Sequence, residues 1–153
     1  MKILAVSAVI IGLDQITKTL IKNSLNLFDS VPVIENYFHF TFIKNSGMAF
    51  GLNFPGGIYY FTIASFILTC VLLRMLWKER YSSIYIRLAL ALIIGGAIGN
   101  LIDRILYREV VDFLDFMIGD YHWYIFNLAD AAVSVGMAIL VIHTMFFTPK
   151  QSD

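Results

Sequence analysis

The sequence is short of the residues that most hydrolytic and metal-dependent sites are built from. One cysteine, Cys70, stands in 153 residues, so an internal disulfide and a cysteine-built metal site are both excluded. The three histidines, His39, His122 and His143, have no HExxH-type spacing, which argues against zinc. A Gly-x-Ser-x-Gly elbow is missing, and no serine or threonine has an obvious histidine base. The glycine-rich GGAIGN lies in an apolar run with no lysine after it, so it is not a phosphate loop. Charged residues make up only 14% of the chain and cancel to a net charge of zero, which gives no electrostatic footprint for nucleic acid. No Pro/Gly/Ser-rich linker, internal repeat or low-complexity tract divides the chain, so one domain over residues 1–153 is expected.

What the chain has in excess is apolar surface. Hydrophobic residues reach 59% and the mean hydropathy is +0.76, whereas a soluble domain is about 45–50% apolar. About 20 apolar residues cross the hydrocarbon core, and four stretches qualify: 3–21, 57–77, 84–104 and 127–147. The first could be mistaken for a secretory leader. Its apolar run is followed not by a small-residue cleavage site but by Asp14, Gln15, Thr17 and Lys18, with Leu20 and Ile21 resuming the pattern. Cys70, inside the second stretch, reads as packing.

Residues 25–55 form the longest polar-enriched segment and cannot span. FHFTFIK at 38–44 alternates aromatic and other residues with period 2, the mark of a strand with one apolar face. Residues 31–34 supply a partner, Asn45, Ser46 and Gly47 supply turn chemistry, and 48–54 reads as a third short strand. The expected architecture is an all-α membrane protein: a four-helix bundle with a small sheet outside the membrane and an outer loop between helices 3 and 4. That sheet could cap the bundle or seat an extended peptide along 38–44. The tight basic cluster from Arg74 to Arg87 favours placing that loop, and both termini, in the cytoplasm.

Three carboxylates gather on the other side. Gly95, Gly99 and Asp103 recur at four-residue spacing on one helical face, where small residues let helices approach closely. Asn100 and Arg104 make a neighbouring pair. Asn127 followed by Asp130 matches a helix cap with an acid at its third position. Asp112 sits between Val111 and Phe113 in the outer return, while Asp115 and Asp120 read as solvated surface acids. Asp14 and Lys18, four apart, read as a structural pair. Asp103, Asp112 and Asp130 therefore fall near one depth, and spacing alone does not choose which two meet. Two carboxylates held together share a proton, and one can activate water while the other protonates a carbonyl. That is peptide hydrolysis by an aspartic dyad. Intramembrane acids also serve proton relays, and glycine packing alone would suit a scaffold.

Taken in register, DQITK, KNSGMAF, GGAIGNLIDR, VVDF and FNLAD, with four spans around them, resemble the lipoprotein signal peptidase (signal peptidase II) family over nearly the whole chain. The resemblance implies a bacterial inner-membrane aspartyl protease, multi-pass, with its active site near the outer face. It would cleave diacylglyceryl-modified prolipoproteins on the amino side of the lipidated cysteine. The resemblance makes Asp112 and Asp130 the catalytic pair. Asn45, Asn100 and Arg104 match positions lining the substrate and globomycin site, and Asn127 is similar to the asparagine beside the second catalytic acid. Gly47 belongs with the substrate-binding or supporting positions, and Asp14, Lys18 and Asp103 match supporting positions. The sheet corresponds to the family's β-cradle and 105–125 to a lid-like loop. No metal or cofactor is implied, since water is the only co-reactant. The implied partners are prolipoproteins, membrane lipids and globomycin-type inhibitors, with the protein a monomer.

Overall fold

The computed structural model describes residues 2–46, 56–119 and 121–147. Gly47, Asp120 and the strand expected at 48–54 lie outside these residues. Four long helices carry the apolar stretches: α1 (Leu4–Ser24), α2 (Gly57–Lys78), α3 (Ile84–Tyr107) and α4 (Leu128–Phe147). Each is long and apolar enough to cross a bilayer. They are interleaved with four strands, β1 (Ser30–Ile34), β2 (Phe38–Asn45), β3 (Val110–Ile118) and β4 (Tyr121–His122).

The helices are not equivalent. Most of α3 is enclosed by protein, whereas α1, α2 and α4 turn largely apolar faces outward. α3 is the central post, and all three others pack on it. Its own residues allow this. A Cβ on Gly96 would stand 2.2 Å from the Ala129 carbonyl oxygen, so only glycine lets α4 come this close. Gly95 and Gly99 face α1, against Ile10 and Asp14. At the other end, Leu72 and Leu76 of α2 interlock with Leu90, Ile93 and Ile94 of α3. Cys70 is exposed on the outer surface of α2 rather than packed inside.

The sheet runs β1-β2-β3-β4, antiparallel throughout. β2 and β3 pair with Lys44 opposite Val111 and Ile43 opposite Asp112, with a bulge between Phe40 and Ile43. Phe42, Val111 and Phe113 bury their side chains against Ile21 and Leu25, which seats the sheet on the end of α1.

Two expectations change here. The return 105–125 is not a loop: α3 continues to Tyr107, Arg108 turns in the left-handed region, and β3 follows at the centre of the sheet. VVDFLDFMI lacks period-2 alternation because much of it is buried on both faces. In addition, β2 is paired on both edges, so no peptide can add to it as a neighbouring strand.

Candidate active site

The sheet-side ends of α1, α3 and α4 are joined by charges that hydrocarbon would not tolerate singly. Lys18 Nζ lies 2.8 Å from Asp14 Oδ2 and 3.0 Å from Asp103 Oδ2, with all three side chains almost fully buried. The ammonium donates its third bond to Asn100 Oδ1, at 2.8 Å. Each carboxylate then uses its remaining oxygen capacity. Asp14 Oδ1 accepts the Ala129 N–H at the start of α4, and Asp103 Oδ2 accepts the Val111 N–H of β3. Gln15 Nε2 completes the set by bonding Asp14, Asp103 and the Gly99 carbonyl. A buried ion pair is stable only when such additional bonds satisfy it. Gln15 is not among the residues expected here, although an amide in an apolar helix beside Asp14 is a signal the sequence carries.

On this base stand Asp112 and Asp130, bridged by Asn127. The Asn127 side-chain oxygen accepts the Asp130 N–H at 3.0 Å while the Asn127 backbone N–H donates to Asp130 Oδ2 at 3.3 Å, a reciprocal cap of α4. Its amide nitrogen also donates to Asp112 Oδ1 at 2.6 Å, to Asn100 Oδ1 and to the Val111 carbonyl. Asn100 donates to Asp130 Oδ1 at 2.8 Å. Asn45, at the end of β2, reaches Asp112 Oδ2 at 3.3 Å and the Tyr124 hydroxyl at 3.0 Å. Asp112 and Asp130 are thus the pair brought together around one asparagine. Asp103 is turned away toward Lys18 and the backbone of β3.

Burial, and then the neighbouring charge of Asp130, push the Asp112 carboxyl up to about 7. Bonds from Asn127 and Asn45 oppose this without cancelling it. Burial also pushes the Tyr124 phenol above its ordinary value, and the charges of Asp112 and Asp130 add to the effect. Nothing in the sequence singles out Tyr124, since an aromatic in an interfacial belt carries no mark of its own.

Asp112 and Asp130 open onto a cavity of about 890 Å³. Asn45, Asn100 and Arg104 supply its polar wall; Phe61, Trp123 and Val135 are among its apolar lining. Arg104 bonds Ser65 Oγ at 3.2 Å, and its buried Nε has no partner among the described residues. Among the described residues no cluster of His, Cys, Asp or Glu has the makings of a metal site.

Residues 6–146 match the family model described as Signal peptidase (SPase) II. The chain belongs to the signal peptidase II family. A lipoprotein signal peptidase of Desulforapulum autotrophicum is 42% identical over 146 residues, covering 92% of this chain and 90% of the relative. One from Bacillus pumilus is 41% identical over 148 residues, covering 97% and 95%. Two solved bacterial membrane enzymes share the fold. The structure at 2.3 Å resolution superposes with a TM-score of 0.83 at 31% identity, covering 99% of this chain and 94% of that one. The structure at 1.9 Å gives 0.86 at 32% identity, covering 96% and 94%. As a signal peptidase II, the protein is a membrane protease with four spanning helices and a small antiparallel sheet.

Proposed function

We propose that this signal peptidase II hydrolyses the signal peptide of diacylglyceryl-modified prolipoproteins, on the amino side of the lipidated cysteine, with Asp112 and Asp130 as a one-proton dyad. The observation that carries the reading is the bridge through Asn127, which aims the buried carboxylate of Asp112 and the half-buried one of Asp130 into one cavity. Asp112, its carboxyl pushed up to about 7, is the member of the pair that carries the proton below that pH. Its Oδ1 is engaged by the 2.6 Å bond from Asn127, so the proton sits on Oδ2, where the Asn45 bond is long. Asp130, stabilised by Asn100 and the Asn127 N–H, takes a proton from water as the oxygen attacks the scissile carbonyl. Asp112 donates its proton to that carbonyl oxygen; as the C–N bond breaks, the proton held by Asp130 passes to the departing amine and one hydroxyl of the diol returns its proton to Asp112. Arg104 and Asn100 line the same cavity and orient the peptide.

The peptide lies across the cavity mouth rather than along β2, and the acyl chains pass between helices into lipid. The basic loop between α2 and α3 supports a topology with both termini in the cytoplasm and the sheet outside.

The test uses the purified enzyme in bicelles with a diacylglyceryl-modified prolipoprotein, the product being sized by mass. Asp112→Asn and Asp130→Asn should each abolish cleavage while eluting as folded protein. Asp103→Asn should chiefly lower stability. Retained turnover in either of the first two variants would overturn the dyad.

A further inference from the structure

The polar face of the sheet holds a second buried carboxylate that the proposed chemistry does not use. Asp115 reads in the sequence as a solvated acid, yet it is 0% exposed. It lies on β3 opposite His39 of β2, a register that turns it inward among polar side chains. Thr41 donates to its Oδ2 at 2.7 Å, so the Thr41 oxygen must in turn accept from Ser30 Oγ, at 2.8 Å. The Ser30 oxygen is then free to accept from His39 Nδ1 at 3.1 Å. From the opposite side, His122 Nδ1 sits 3.0 and 3.1 Å from the two Asp115 oxygens. Ser30 is on β1, His39 and Thr41 on β2, Asp115 on β3 and His122 on β4. Thr41 of β2 and His122 of β4 bond the buried carboxylate directly, and Ser30 of β1 with His39 of β2 supports Thr41 from behind. A charge in that position is stable only while those donors stay in place.

The network matters because β4 leads straight to the site. Two residues form that strand, and the chain then runs directly into Trp123, Tyr124 and Phe126, which with Tyr121 wall the cavity of Asp112 and Asp130. Backbone bonds tie the two ends of this strap to β3. The Trp123 N–H donates to the Phe116 carbonyl at one end; at the other the Phe126 carbonyl accepts from the Phe113 and Leu114 N–H groups while its N–H donates to the Leu114 carbonyl. A two-residue strand is too short to hold itself in register. We propose that Asp115 and His122 form a clasp that positions the strap 121–126, and so sets the aromatic wall against which the peptide substrate binds. His122 is the accessible half of the clasp, with 51% of its side chain exposed, and Asp115 is the anchored half. The short bonds to Asp112 and Asp130 come from Asn127 and Asn100, and the strap reaches the pair only through Tyr124 and Asn45, whose bond to Asp112 is long. Loosening the strap therefore acts on substrate binding and leaves the carboxylate pair in place.

This inference rests on the cavity being the peptide site, so its test has a readout that does not depend on activity. Amide hydrogen exchange over 121–126 is compared between the full-length enzyme in detergent and its His122→Ala and His122→Gln variants. In His122→Ala the strap should exchange several-fold faster. KM for the prolipoprotein should rise about tenfold, the order of one lost hydrogen bond to a charged group, with kcat within about twofold. His122→Gln, which keeps an N–H donor, should recover most of both. Unchanged exchange in His122→Ala overturns the clasp, and so does a fall in kcat at constant KM or a glutamine variant no better than alanine. Should Asp112→Asn retain turnover, the cavity loses its catalytic role, and the exchange result still decides whether the clasp exists.

Discussion

Asp112 shows how one side chain sets the working range. Its folded value, about 7, lies above that of an exposed carboxylate, so the folded protein binds the proton more tightly than the unfolded chain does. The stability belonging to this site is complete at low pH and is lost as pH rises through about 7. Asp112→Asn cannot ionise and escapes that loss. Its thermal midpoint in detergent should exceed that of the wild type at pH 8, and the difference should vanish toward pH 4. On the proposed mechanism turnover needs the same proton, so kcat/KM should fall as pH rises above about 7, read from a pH–rate profile. Lys18 poses the opposite problem. Lys18→Met leaves Asp14 and Asp103 buried without their cation and should cost about 3–5 kcal/mol, read as a collapsed melting temperature or failed expression.

Helix contacts depend on how closely backbones can approach. Gly96→Ala would drive a methyl group into the Ala129 carbonyl of α4, so α3 and α4 must separate just where Asn100 meets Asp130. A loss of at least about 1–3 kcal/mol is expected, with reduced turnover. Gly12→Ala is the control: its Cβ meets nothing within 4 Å, and in mid-helix it should be neutral or stabilising by up to about 1 kcal/mol. Thermal melts of the two variants separate close packing from helix propensity.

Across the whole molecule, the bundle and the sheet carry different tasks. α3 braces the other three helices, and the sheet, seated on the end of α1, brings Asn45 and Asp112 over the mouth of α4. The chain's single cysteine makes the orientation testable. In a Cys70→Ser background, Ile118→Cys should react with an impermeant maleimide in intact cells and Arg80→Cys should not. The reverse pattern would invert the topology.

Composition and run length are enough to mark four spans within a few residues of α1 to α4, because crossing hydrocarbon demands about 20 apolar residues whatever their order. Period-2 alternation locates β2, since that strand pairs in a sheet with distinct faces, and the spacing of Asn127 and Asp130 foretells the cap of α4. Local pattern cannot recognise β3. A strand buried on both faces does not alternate, and its two aspartates resemble loop acids until the donors around them are known. The partner of Asp130 is undecided in the sequence for the same reason: spacing sets Asp103, Asp112 and Asp130 at one depth, and only the family's motif separates them. The fold settles their contacts through a competition that sequence does not display. Lys18 draws Asp103 away, Asn127 holds Asp112 beside Asp130, and Thr41 and His122 enclose Asp115. A buried carboxylate goes where its donors are, and those donors come from elements far apart in the chain.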